Sequence, residues 1–172
     1  NEYKKQSKFN NSYNAALIWD VIKGLQWRAE GTYGFSFDRT DNVYLKNTSK
    51  ANQTAGQPVG VREYWNGQNW AFRTLLNYKF KMKDHSFDVM GGMEALSSKK
   101  DKMQITADYF PSDYGVNDIL SMWNNGTSDP TYTTINEPSR SMSYFGRANY
   151  ILKDRYYLTF TLRADGTNVF AP

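Results

Sequence analysis

The chain predicts an all-β fold, specifically an antiparallel transmembrane β-barrel segment of about six strands. Three observations predict it: long stretches of alternating apolar and polar residues, tight turns that take turns with long polar loops, and aromatic residues near strand ends. Successive side chains of a strand point to opposite faces, so alternation builds a sheet with one apolar and one polar side. Soluble sandwiches alternate as well. The order of short and long connections is what separates the two classes.

Taken in order, the first ten residues are polar and read as a loop or the ragged start of a strand. Over residues 12–22, Tyr13, Ala15, Leu17, Trp19 and Val21 share one face, opposite Asn14, Ala16, Ile18 and Asp20. Lys23-Gly24 is a two-residue turn, a length that hairpins favour. A second strand over 25–39 sets Leu25, Trp27, Ala29, Gly31, Tyr33, Phe35 and Phe37 against Gln26, Arg28, Glu30, Thr32, Ser36 and Asp38. It is too long for an average globular strand. The pattern dissolves over 40–67, a polar stretch longer than a usual hairpin loop.

The second hairpin spans 69–97. Trp70, Phe72, Thr74, Leu76, Tyr78 and Phe80 alternate with Arg73, Asn77, Lys79 and Lys81. A turn at Met82-Lys83-Asp84 leads to Phe87, Val89, Gly91, Met93 and Ala95, opposed by Ser86, Asp88, Gly92 and Glu94. Met90 and Leu96 interrupt that polar side. Residues 98–138 form the second long loop. Within it, 100–109 suits one or two helical turns, 110–123 a short helix capped by Asp118 or Asn117, and 124–130 a turn. The last hairpin covers 141–165. Tyr144, Gly146, Ala148, Tyr150 and Leu152 share a face that continues after the charged turn Lys153-Asp154-Arg155 as Tyr156, Leu158, Phe160, Leu162 and Ala164.

Tight turns therefore all fall at one end of the sheet and long loops at the other. Outer-membrane barrels have this asymmetry, with short periplasmic turns and long extracellular loops. Tyr13, Trp27, Phe37, Trp70, Tyr78, Phe80, Tyr144 and Tyr156 suit the two interfacial girdles of such a barrel. Six strands fall short of closing a lipid-facing barrel, since single-chain barrels start at about 8. An open edge in hydrocarbon leaves backbone groups unpaired, so the expectation is an internal segment of a longer protein. A subunit that lends strands to a shared barrel is the alternative.

Composition narrows the classes further. The chain has 172 residues, the length of one ordinary domain, with 13 tyrosines and 16% aromatic residues. Its net charge of +4 is mild and no Lys/Arg run lines one face, so nucleic acid is not an expected partner. The absence of cysteine removes disulfides, thiolate metal sites and cysteine nucleophiles together. No apolar leader opens the chain, and no apolar run is long enough for a transmembrane helix.

Residues 143–170, SYFGRANYILKDRYYLTFTLRADGTNVF, closely resemble a hallmark stretch of SusC/RagA-type TonB-dependent transporters of Bacteroidota outer membranes. FPSDYGVNDI at 110–119 resembles the extracellular-loop segment upstream of that stretch. NAALIWDVIKGLQWRAEGTYGFSF at 14–37 resembles an earlier hairpin of the same barrels, including its Ile-Lys-Gly turn. The resemblance implies a barrel of about 22 strands with an internal plug. It also implies a SusD-like surface lipoprotein as lid, TonB as the source of energy, and a glycan or peptide as the imported substrate. The plug and the TonB box are not in these residues.

Chemistry of the enzyme kind finds no footing in the residues. The single histidine, His85, lies beside a tight turn without a ligand cluster and reads as a surface or interfacial residue. Asp38 with Asp41, and Asp108 with Asp113, are paired acids that read as solvated loop charge. Gly91-Gly92 lacks a following helix N-terminus and reads as relief of crowding or a kink in the strand. No cofactor and no metal are expected. The candidate lumen-lining row is Arg28, Glu30, Arg73, Asn77, Arg147 and Arg163, together with Lys79, Asp88 and Glu94. These pair with one another or with the plug, or touch a passing solute. Candidate ligand- or lid-contacting loop aromatics are Tyr64, Trp65, Tyr109, Trp123 and Tyr132, with packing of the long loops as the competing role. A soluble or cell-surface β-rich carbohydrate-binding module is the alternative class, and a passive porin-like barrel a third.

Overall fold

Strands account for most of the structure, a computed structural model that describes residues 1–168. β1 (Glu2–Ile22) and β2 (Leu25–Tyr44) form the first hairpin, followed by the short helix α1 (Ser49–Asn52). β3 (Val59–Met82) and β4 (His85–Asp108) form the second. Then come helix α2 (Val116–Ser121), a 3₁₀ turn at Trp123–Asn125, and the short strands β5 (Thr127–Ser128) and β6 (Tyr132–Thr134). β7 (Ser139–Leu152) and β8 (Tyr156–Thr167) complete the order. One antiparallel sheet runs β1-β2-β3-β4-β7-β8, with β5 and β6 paired to β4. The sheet is open, with β1 and β8 at its two ends among the described residues. Val169 and Phe170, the end of the stretch that resembles SusC/RagA-type proteins, lie outside the described residues.

All three tight turns stand where the sequence places them. Gly24 has φ +83°, and the turns at 83–84 and 153–155 contain Lys83, Lys153 and Asp154 in the left-handed region. The strands, in contrast, are longer than expected. β1 begins at Glu2, so the first residues are the start of a strand and not a loop, the second of the two readings; β2 continues to Tyr44, and β3 starts at Val59. The first long loop thus shrinks to 45–58. Residues 100–108, expected as helical turns, are strand. The reason is that both faces of these extensions are polar or capped by loops, so hydrophobic alternation vanishes while the ladder of backbone hydrogen bonds goes on. The cap of α2 also differs. Gly115 holds the N-cap position, and the Asp118 carboxylate reaches back to accept its N–H (2.9 Å).

The chain divides into two compact units, the first made of residues 1–11, 35–67 and 100–137, the second of 12–34, 68–99 and 138–172. In the first unit a small core gathers Val43, Ala107, Phe110 and Ile119, with Leu45, Tyr114, Val116, Leu120 and Trp123 packed against it. Gly60 is what lets the indole in. A Cβ there would lie 2.9 Å from the Trp123 ring and 3.1 Å from Ile119.

In the second unit, register fixes two faces. β4 and β7 set Phe87 opposite Tyr150, Val89 opposite Ala148 and Met93 opposite Tyr144. β7 and β8 then set Tyr150 opposite Leu158, Ala148 opposite Phe160 and Gly146 opposite Leu162. The intervening positions pair Asp88 with Asn149, Glu94 with Ser143 and Ser143 with Asp165. The apolar side is bare: Leu158 is 66% exposed, Leu162 64% and Trp19 58%. Gly92 relieves crowding as expected, since a Cβ there would meet the Thr74 carbonyl at 2.5 Å, whereas Gly91 faces open space.

Candidate functional site

The polar side of the second unit carries a ladder of charges that crosses the sheet. On β2, Arg28 bonds Glu30. Glu30 Oε2 lies 4.0 Å from Arg73 Nη1 of β3, and Arg73 donates through Nε (3.1 Å) and Nη2 (2.5 Å) to Glu94 Oε1 of β4. Glu94 Oε2 lies 4.0 Å from Arg163 Nη2 of β8. Arg163 donates through Nε to both Asp165 oxygens (2.9 and 3.0 Å) and through Nη2 to Ser143 Oγ of β7 (3.1 Å). Nearer the tight turns, Lys79 Nζ lies 3.6 Å from Asp88, and the Asn77 amide donates to Asp88 Oδ1 (2.8 Å) when oriented to suit it.

Of the candidate lumen-lining residues, the structure therefore brings Arg28, Glu30, Arg73 and Arg163 into one network through Glu94. Asn77 joins the second pair, and Arg147 stands apart, between Met90 and Thr161 in register. Glu30 and Glu94 are the more covered partners, whereas Asp165 is 58% exposed. Glu94 is 15% exposed, while the guanidinium side chains of Arg28, Arg73 and Arg163 are 46, 46 and 52% exposed. Asp165 and Ser143 were missing from the candidate row. Asp165 follows Arg163 by two positions on the same face, a spacing that signals the pair, whereas Ser143 is found only through register.

The loop aromatics divide. Trp123 is structural: it packs on the first unit's core, edge-on to Phe110, with the Arg62 guanidinium 4.8 Å over its ring. Trp65 is covered by Lys100 and Lys102, whose ammonium groups lie 4.7 and 5.2 Å from the ring centre; Lys102 also bridges Glu63 (2.7 Å). Tyr64 is half-buried. Tyr109 and Tyr132 remain exposed. Tyr109 sits at φ +58°, which swings the chain so that Phe110 enters the core and its N–H reaches the Pro58 carbonyl (3.3 Å).

Asp41 is a correction to the solvated-charge reading. Its side chain is 7% exposed and is held by Arg39 (2.9 Å) and Arg62 (2.6 Å), so it is a buried ion-pair centre on β2. Asp108, at the end of β4, has its carboxyl held above the ordinary carboxylate range, first by burial and then by Asp129, with Lys50 opposing. One of its oxygens is buried without a partner. His85 is also engaged, with Nδ1 2.6 Å from the Tyr150 hydroxyl.

No family model matches the chain. It is 25% identical over 171 residues to TonB-dependent receptor P26 of Formosa agariphila, covering 95% of this chain and 17% of that protein. It is 28% identical over 174 residues to TonB-dependent receptor P3 of the same organism, covering 98% and 16%. TonB-dependent receptor SusC of Bacteroides thetaiotaomicron is 28% identical over 119 residues, covering 62% of this chain and 10% of that protein. The fold matches a chain of the RagAB peptide transporter with a TM-score of 0.81 at 20% identity, covering 99% of this chain and 19% of that one. In its 'open-open' state the RagAB peptide importer gives a TM-score of 0.77. The resemblance to SusC/RagA-type TonB-dependent transporters thus holds over nearly the whole chain, and the fold is a segment of an antiparallel β-barrel. The chain spans about one sixth of the length of the first two relatives. These relatives carry receptor names, not those of enzymes.

Proposed function

We propose that this chain is a stretch of the wall of an outer-membrane transporter that imports a bulky polar nutrient, a peptide or glycan. One observation carries the reading: the second unit leaves Trp19, Leu158, Phe160 and Leu162 bare on one side and holds an ion-paired ladder on the other. Turning that ladder to hydrocarbon costs about 2–4 kcal/mol for each cation near the bilayer midplane, and turning the apolar side to water forfeits its burial. Lipid on the apolar side and an aqueous lumen on the charged side satisfy both. Continuation of the sheet beyond β1 and β8 would pair the backbone groups at its ends.

Energy coupling through TonB and a SusD-like lipoprotein lid belong to the same proposal, supported by the receptor names of the relatives. The RagAB name favours peptide as cargo. Exposed Tyr109 and Tyr132 are the loop aromatics left available to a ligand or lid.

The test is to extract outer membranes in mild detergent, purify the polypeptide that carries this stretch, and weigh every chain that accompanies it. A polypeptide several times longer, with a lipoprotein alongside, is the expected result. Recovery in the aqueous fraction without detergent overturns the reading and moves the protein to the soluble binding-module class.

A further inference from the structure

We infer that Arg28, Arg73 and Arg163 form a three-station carboxylate track on the charged side of the wall, selecting anionic over neutral polar solutes. The inference rests on the reading above, which makes that side a lumen. A guanidinium offers five N–H donors in a fixed fork, which suits carboxylate geometry. Arg73 spends Nε and Nη2 on Glu94, and Arg163 spends Nε and Nη2 on Asp165 and Ser143. Arg28 bonds Glu30 through the same two nitrogens. Among the described residues the hydrogen bonds leave Nη1 out in all three, with Arg73 Nη1 4.0 Å from Glu30 Oε2, and each side chain stays about half exposed.

The acids differ in what they still offer. Glu94 lies under the ladder with both oxygens facing arginines, Oε1 to Arg73 and Oε2 to Arg163. Glu30 likewise faces Arg28 with one oxygen and Arg73 with the other. At Arg28 and Arg73 a solute meets donors more exposed than the acids that hold them (46% against 29% and 15%), whereas at Arg163 the Asp165 carboxylate is exposed beside the fork (58%). Neighbouring strands of a sheet lie about 4.8 Å apart, so the stations on β2 and β3 are adjacent, and the one on β8 lies three strands beyond β3, about 14 Å across the wall. An anionic group leaving one fork would find the next. Spaced, half-solvated stations of this kind suit passage rather than capture, since each contact is partly screened by water.

The probes are N-acetyl-tetraglutamate amide and its neutral counterpart N-acetyl-tetraglutamine amide, titrated calorimetrically against the purified full-length transporter in detergent. The expected result is tighter binding of the glutamate probe by about tenfold or more at low salt, shrinking as salt rises. Arg73→Gln is expected to remove most of that preference. Arg73→Lys, which keeps charge but loses the fork, is expected to retain an intermediate part of it. Lys46→Gln, on the loop between β2 and α1, is expected to leave it intact. Folding of each variant is read from heat-modifiable gel mobility, so that only folded barrels are scored. Equal binding of both probes, no binding of either by a folded barrel, or a preference unchanged in Arg73→Gln overturns the track. Those outcomes leave the transporter reading standing, because detergent extraction and chain length decide that separately.

Discussion

Leu158 and Thr159 are neighbours on β8, yet they sit on opposite faces of the sheet: Leu158 pairs in register with Tyr150, Thr159 with Asn149. On the proposed reading an arginine at the first position enters hydrocarbon, and one at the second joins a polar row where Thr159 bonds Asn149 Oδ1 (3.0 Å). Leu158→Arg or Leu162→Arg should therefore destabilise the barrel in lipid by about 2–4 kcal/mol, with Thr159→Arg far milder. Urea titration of the full-length protein in vesicles measures this, and equal damage from both faces would contradict the assignment. Asp108 gives a second prediction at this scale. Its folded carboxyl keeps its proton to higher pH than the unfolded one, so its contribution to stability is greatest below the ordinary carboxylate range. That contribution is lost as pH rises through the raised value, and at neutral pH the ionised form carries the full penalty of burial and of Asp129. Asp108→Asn should slow hydrogen exchange around residues 108–129 at neutral pH and flatten its pH dependence. Unchanged exchange would show that the carboxyl is not strained.

At the scale of elements, the segment 110–126 behaves as a small folded body rather than a slack loop. Phe110 and Ile119 insert between Val43 and Ala107, and Trp123 closes over Gly60 while Arg62 spans its ring and Asp41. Gly60→Ala places a methyl group 2.9 Å from the indole, so the ring must shift or leave. Overpacking of this kind costs about 1–3 kcal/mol. Faster proteolysis within 110–126 and a red-shifted tryptophan emission are expected, with the strands unchanged by circular dichroism. Retention of the wild-type cleavage rate would mean that the ring has room to yield. This packing also reassigns Trp123, a candidate ligand contact in the sequence, to the loop's own core.

For the whole molecule, the open sheet and the bare apolar side make one prediction together. The isolated 172-residue chain should fail to form a soluble monomer in water and should gain β-structure only with detergent or lipid, followed by circular dichroism and size exclusion. A cooperative monomeric fold in plain buffer would favour the carbohydrate-binding module instead. The physical reason is that edge strands with unpaired backbone groups and exposed Leu, Phe and Trp side chains associate unless lipid or further strands cover them.

Strand class, hairpin order, the three tight turns and the two faces of the hairpins over 12–39, 69–97 and 141–165 were legible in the amino-acid sequence. They follow from the two-residue period and from turn residues, which are local. Arg28, Glu30, Arg73 and Arg163 were legible as one polar row for the same reason. Three things were decided only by tertiary structure. The strands run on through residues 2–11, 40–44, 59–68 and 98–108, where hydrophobic alternation fades while the backbone ladder continues. Asp41 is buried between Arg39, two positions before it on the same strand, and Arg62 of β3, which only strand pairing brings to it. The pairing of Arg73 and Arg163 through Glu94 depends on the register of β4, β7 and β8. Periodicity assigns a residue to a face, but only the hydrogen-bonded ladder chooses its neighbours.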